Sequence, residues 1–94
     1  MDTLKLVLTN KWFDAHVDGS KRIEYRRMCA FWKTRIWDKR YELKNVRFQR
    51  AFNPPVKFAW FEIIKIDIGS CPIDGWGGNY YRVHFKEAKN ASIR

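Results

Sequence analysis

"GSKRIEYRR", Gly19 to Arg27, changes character from one residue to the next. In an extended segment side chains alternate between faces, so Ile23 and Tyr25 share one side and Arg22, Glu24 and Arg26 the other. The stretch reads as a β-strand entered through a glycine turn, with its apolar pair facing a core. Its opposite face carries one carboxylate, Glu24, in a run with Lys21, Arg22, Arg26 and Arg27. Two roles fit that carboxylate. It either neutralises an otherwise repulsive strand, or it belongs to a set of groups placed around a ligand.

Working outward, Leu4, Leu6 and Leu8 alternate with Lys5 and Val7, the pattern of a strand with one buried face. The period then changes. From Lys11 to Asp18, Trp12, Ala15 and His16 share one helical face, Thr9 or Asn10 can cap the start, and Gly19 suits the left-handed residue past the end. Beyond the central strand, Cys29 to Tyr41 contains no Gly or Pro, and Phe31, Trp32, Arg35, Ile36 and Lys39 fall at helical spacing, which predicts a second helix. Leu43 to Phe52 reads as a strand broken by Asn53-Pro54-Pro55, and Lys57 to Ile68 as a longer one, apolar on both faces at its start. Gly69 to Gly78 reads as a loop. Tyr81, Val83 and Phe85 alternate with Tyr80, Arg82 and His84 in a last strand, and 88–94 form a tail beyond a core of about 4–87. Five strands with two short helices predict a single α+β domain built on a small, partly closed mixed β-barrel, its ends plugged by the helices.

Composition fits one folded domain. Ninety-four residues with 17% aromatics, including five Trp and seven Phe, supply a core despite 31% charged residues. The net charge of +9 is concentrated: residues 1–20 contribute −1, 21–50 contribute +8 and 51–94 contribute +2. A positive surface of that density attracts phosphates by counterion release, so nucleic acid is the default partner. A membrane is not expected, because the basic block is interleaved with Trp, Tyr and Glu and adjoins no long apolar run. Cys29 and Cys71, with no signal peptide ahead of them, are expected as free thiols in a cytoplasmic setting. His16 and His84 complete a pair of cysteines and a pair of histidines, but no two have metal-ligand spacing, so neither metal nor other cofactor is expected.

Gly19-Ser20-Lys21-Arg22-Ile23-Glu24-Tyr25-Arg26 matches, at all four specified positions, the G-x-K-x-x-E-x-R signature of the ASCH family, a relative of the RNA-binding PUA domains. The neighbourhood resembles that family too: a strand and a Trp-Phe-Asp helix before the glycine, Phe31-Trp32 after the arginines, a Val-x-Phe strand at Val46 to Phe48, and a closing Tyr-Tyr-x-Val strand at Tyr80 to Val83. The resemblance covers about residues 4–87. It implies a PUA-like barrel whose cleft, lined by Lys21, Glu24 and Arg26, takes RNA or a nucleotide. Lys21 has the parity of Ile23, so it must leave the strand's alternation at the glycine turn to join the other two. Some relatives hydrolyse the acetyl amide of N4-acetylcytidine with a threonine at the position of Glu24; the departure here puts that activity in doubt. Others cut RNA without metal, a role for which Lys21 and Glu24 are the candidate catalytic pair. That reaction needs a group titrating near neutrality, for which Lys21, lowered by burial, or His16 are the candidates.

On the residues themselves, Glu24 between cations is an acceptor for a base amine or a 2′-hydroxyl, and Arg26 either binds phosphate or fixes Glu24. Trp12, Phe13, Trp60, Phe61 and Phe85 read as core. Trp32 either stacks on a base or anchors packing; Trp76, flanked by glycines, is either a lid or a plug; Tyr80 points away from the core residues of its strand and toward the cleft. Lys11, Arg35, Arg47 and Arg50 are candidate phosphate contacts around the site, and Lys33, Lys39 and Arg40 extend the positive surface. His84 reads as an outward surface residue. A further alternative is a protein-interaction module whose basic face engages an acidic partner.

Overall fold

The computed structural model describes residues 3–19, 21–51, 56–73 and 75–87. Its elements are β1 (Thr3–Leu8), α1 (Asn10–Asp18), β2 (Ile23–Arg27), α2 (Ala30–Trp32), which runs straight into a π-helical turn (Lys33–Trp37), β3 (Asn45–Arg50), β4 (Lys57–Ser70) and β5 (Asn79–Glu87). The five strands form one mixed sheet in the order β1-β3-β4-β5-β2. β1 and β3 are parallel, and every other neighbouring pair is antiparallel. The sheet curls into a half-barrel with β1 and β2 as its edges, the α+β architecture expected, open where a closed barrel would join those two strands.

The concave face holds the core. Leu4, Leu6 and Leu8 from β1, Val46 and Phe48 from β3, Ala59, Phe61 and Ile66 from β4, and Tyr81, Val83 and Phe85 from β5 are all buried there. Odd residues of β4 face inward at its start and even ones after Lys65, because a bulge between Ile63 and Lys65 shifts the register. α1 lies in the hollow with Phe13 and His16 buried, and Gly19 ends it in the left-handed conformation at φ 88°.

Four expectations are corrected by packing. The second helix is not one α-helix over Cys29–Tyr41: after Trp32 the Asp38 N–H donates to the Lys33 carbonyl five residues back. The extra residue in that turn sends Ile36 fully into the core and lays Trp37 on Tyr81, while Phe31 stays 52% exposed. Gly69 and Ser70 continue β4, because both pair with β5, so the loop begins at Cys71. Trp60 takes the outer face, where its strand neighbours Ala59 and Phe61 point inward, and is only half-buried. Finally, β2 is turned the other way round. Glu24 pairs with Val83 and Arg26 with Tyr81, both core residues, so the charged face of β2 faces the hollow, while Ile23 and Tyr25 take the opposite face, where Tyr25 is nonetheless buried and Ile23 half-buried. Asn53-Pro54-Pro55 and the tail lie outside the described residues.

Candidate functional site

Inside the half-barrel Glu24 is 5% exposed and both its oxygens are engaged. Oε1 accepts from His16 Nε2 at 2.9 Å and lies 3.6 Å from Lys21 Nζ; Oε2 accepts from Arg26 Nε at 2.8 Å. Lys21 precedes β2, which starts at Ile23, and so escapes the alternation that would have pointed it away. Its amide donates to the Ala15 carbonyl, and its ammonium donates to the Ile23 carbonyl at 2.7 Å and lies over the Trp12 and Tyr25 rings. The three signature side chains thus form one ion cluster at the foot of α1.

Electrostatics follow from that geometry. Burial pushes the Glu24 carboxyl upward, but the His16 hydrogen bond and the charges of Arg26 and Lys21 outweigh it, and the group sits below the ordinary carboxylate value. Burial pulls the Lys21 ammonium below its ordinary value against the opposing pull of Glu24. His16, wholly buried between the Phe48 and Phe85 rings, has Nδ1 3.3 Å from the Lys21 carbonyl. Both neighbours of its ring are acceptors, so a neutral ring can donate to only one of them and a doubly protonated ring donates to both.

Arg26 does more than meet Glu24. Strand carbonyls alternate in direction, and the Leu8 carbonyl, on the β3 side, accepts from the Ala51 N–H. The Val7 carbonyl therefore points to the open edge, where Arg26 Nη2 donates to it at 3.3 Å. One guanidinium so links β2 to β1 across the mouth of the half-barrel. Its plane also lies 4.9 Å from the Trp32 ring centroid.

The signature cluster opens onto two clefts, one on each side of Tyr25. Lys21 lines a largely apolar hollow of 350 Å³ with Trp12, Ala15, Ile23, Pro72 and Ile73. Arg26 lines a second, of 420 Å³, with Arg27, Trp32, Gly75, Trp76 and Tyr80. Four of the residues singled out in the sequence, Arg26, Trp32, Trp76 and Tyr80, meet in this second groove. Glu24 lines neither, lying beneath both. Trp76 and Tyr80 pack together with ring centroids 5.5 Å apart, forming one wall.

The remaining candidates lie elsewhere. Arg35 is exposed and stacks on Phe31 at 3.6 Å. Arg50 reaches across to the exposed Asp14 at 3.1 Å, and Lys11 covers Trp12 at 4.9 Å. Arg47 is on the outer face of β3, opposite Trp60 and over Phe58, and its Nε is buried without a hydrogen-bond partner. His84 faces outward as expected and donates to Asp67 at 2.9 Å. Cys29 and Cys71 are both free thiols. Sequence reasoning missed the bond between His16 and Glu24, and it missed Arg27 as a groove residue; the placement of His16 on the apolar face of α1 was the available signal. Among the described residues no helix is long and apolar enough to cross a membrane. Comparison of the chain with protein-family models, with curated proteins and with solved structures finds no match.

Proposed function

We propose that this protein is an RNA- or nucleotide-binding module of the ASCH type, with a PUA-like half-barrel, and that its ligand lies in the groove beside Arg26. One observation carries the reading: two arginines, Arg26 and Arg27, and four aromatic rings, Tyr25, Trp32, Trp76 and Tyr80, line a single groove. A nucleotide is a phosphate joined to a flat ring, and such a groove offers a partner to each part. Glu24 contributes from below by holding Arg26 and Lys21 in place, since its own oxygens are already occupied.

The test is titration of labelled RNA with the wild type, Trp76→Ala and Arg27→Ala. Both side chains are exposed, so folding survives. Loss of one stacking ring should weaken binding by roughly 1–3 kcal/mol. Arg27→Ala should weaken it and flatten its salt dependence by about 0.7 in the log–log slope. Binding retained in full by both variants would end this reading.

A second reading, metal-independent RNA cleavage, has one observation in its favour: burial lowers the Lys21 ammonium from its ordinary value and so favours the neutral amine, the form that can accept a proton from a 2′-hydroxyl. Labelled RNA incubated in EDTA with wild type and Lys21→Ala decides it, because equal cleavage by both marks a contaminant.

A further inference from the structure

A second concave surface adjoins the first. Thr3, Leu4 and Lys5 at the open edge of β1, with Trp32, Arg35, Lys39 and Leu43, enclose 300 Å³. Trp32 lines this groove and the Arg26 groove alike, so the two meet at that ring. A continuous column crosses the junction: the Arg35 guanidinium on Phe31 at 3.6 Å, Phe31 edge-on to Trp32 at 4.7 Å, and Arg26 over Trp32 at 4.9 Å.

The cations here face no carboxylate among the described residues. On other parts of the surface several cations are matched to carboxylates, as in Lys33 with Asp38, Arg50 with Asp14, Arg82 with Asp67 and Lys86 with Glu62, while the exposed Lys11 and Lys44 stand apart from one another without such a partner among the described residues. Among the described residues Lys5, Arg27, Arg35 and Lys39 pair with none, and all four are exposed. Phe31 and Trp76, 52% and 37% exposed, supply apolar faces beside them. Unpaired cations alternating with open rings over two adjoining grooves suit a ligand that repeats charge and ring along its length. A single nucleotide would fill one groove and leave the other's charges unanswered.

Resting on the reading of the Arg26 groove as a nucleotide site, we infer that the ligand is an extended single-stranded RNA running over Trp32, with the Lys5–Arg35–Lys39 groove as a second subsite for its phosphates. A duplex hides its base faces and cannot use the rings.

Fluorescence titrations with a 5′-mononucleotide, a single-stranded hexanucleotide and the same hexanucleotide annealed to its complement test this on the full chain. The hexanucleotide should bind at least about tenfold more tightly than the mononucleotide and more tightly than the duplex. In Lys5→Ala/Lys39→Ala, whose exposed side chains leave the core intact, the hexanucleotide-to-mononucleotide affinity ratio should fall about tenfold, and the hexanucleotide's salt slope by roughly 1.4, at about 0.7 per phosphate contact. Equal affinity for the two lengths, an unchanged ratio in the double variant, or preference for duplex would overturn the second subsite while leaving the Arg26 groove standing. Absence of binding by every probe would overturn both.

Discussion

Two carboxylates in this molecule have nearly the same company. Glu24 is met by a histidine at 2.9 Å, an arginine at 2.8 Å and a lysine at 3.6 Å; Asp67 by a histidine at 2.9 Å, an arginine at 2.8 Å and a lysine at 3.8 Å. One set lies inside the half-barrel, the other on its outer face, where the Asp67 side chain is 31% exposed. For Glu24 the largest influence is its burial, which its partners must overcome. For Asp67 it is the Arg82 hydrogen bond, aided by His84, and the carboxyl is held at about 2. The same ions therefore do different work. Outside, water shares the load and the cluster ties β4 to β5; inside, the nearly sealed Glu24 carboxylate depends on its three partners, so losing one costs the fold more.

Glu24→Gln breaks that contrast most severely. It keeps the shape but leaves the Arg26 and Lys21 charges uncompensated at the mouth of the hollow, and should cost about 3–5 kcal/mol in urea unfolding. A loss below about 1 kcal/mol would show that water enters the cluster freely. Acid comes next. Glu24 sits below its ordinary 4.5 and Asp67 at about 2 against 3.8, so the unfolded chain takes up these protons more readily than the folded one. The stability they contribute is complete above those ordinary values and drains away as pH falls, the Asp67 share being gone by about pH 2. The free energy of unfolding, measured from pH 7 to pH 2, should decrease below about pH 4.5, less steeply in Glu24→Gln; stability that rises on acidification would contradict the assignment.

Smaller effects belong to the outer set. Asp67→Asn should cost about 1 kcal/mol, because the fork with Arg82 is half in water. Gly69→Ala sharpens the same point from below. An added methyl carbon would lie 2.6 Å from both terminal nitrogens of Arg82 and push the guanidinium off Asp67. Its cost, about 1 kcal/mol or less, should shrink in an Asp67→Asn background, a coupling that a double-mutant cycle reads directly.

Much of this was legible in the chain. Alternation located β1, β2, β3 and β5, the change of period located α1, and Gly19 marked its end, because these signals are local. The shared face of Glu24 and Arg26 was legible for the same reason. Which way that face points was not. Binary patterning turns Ile23 and Tyr25 inward, but the ladder to Val83 and Tyr81 sets the orientation, and that ladder joins segments far apart in the sequence, residues 23–27 with 80–84. The His16 bond to Glu24 is likewise tertiary. The π-helical turn escaped because helical spacing cannot reveal one extra residue when Ile36 and Trp37 must both reach the core.

The place of β2 in the sheet has a consequence in time. Its neighbour is β5, the last of the five described strands in chain order, while β1 must wait for β3. Hairpins between β3, β4 and β5 can close early, since each joins strands consecutive in sequence, whereas docking β2 closes a loop of most of the chain. By this order Glu24 and its cations should shed their water in a late step of folding, so substitutions among them should speed unfolding far more than they slow refolding.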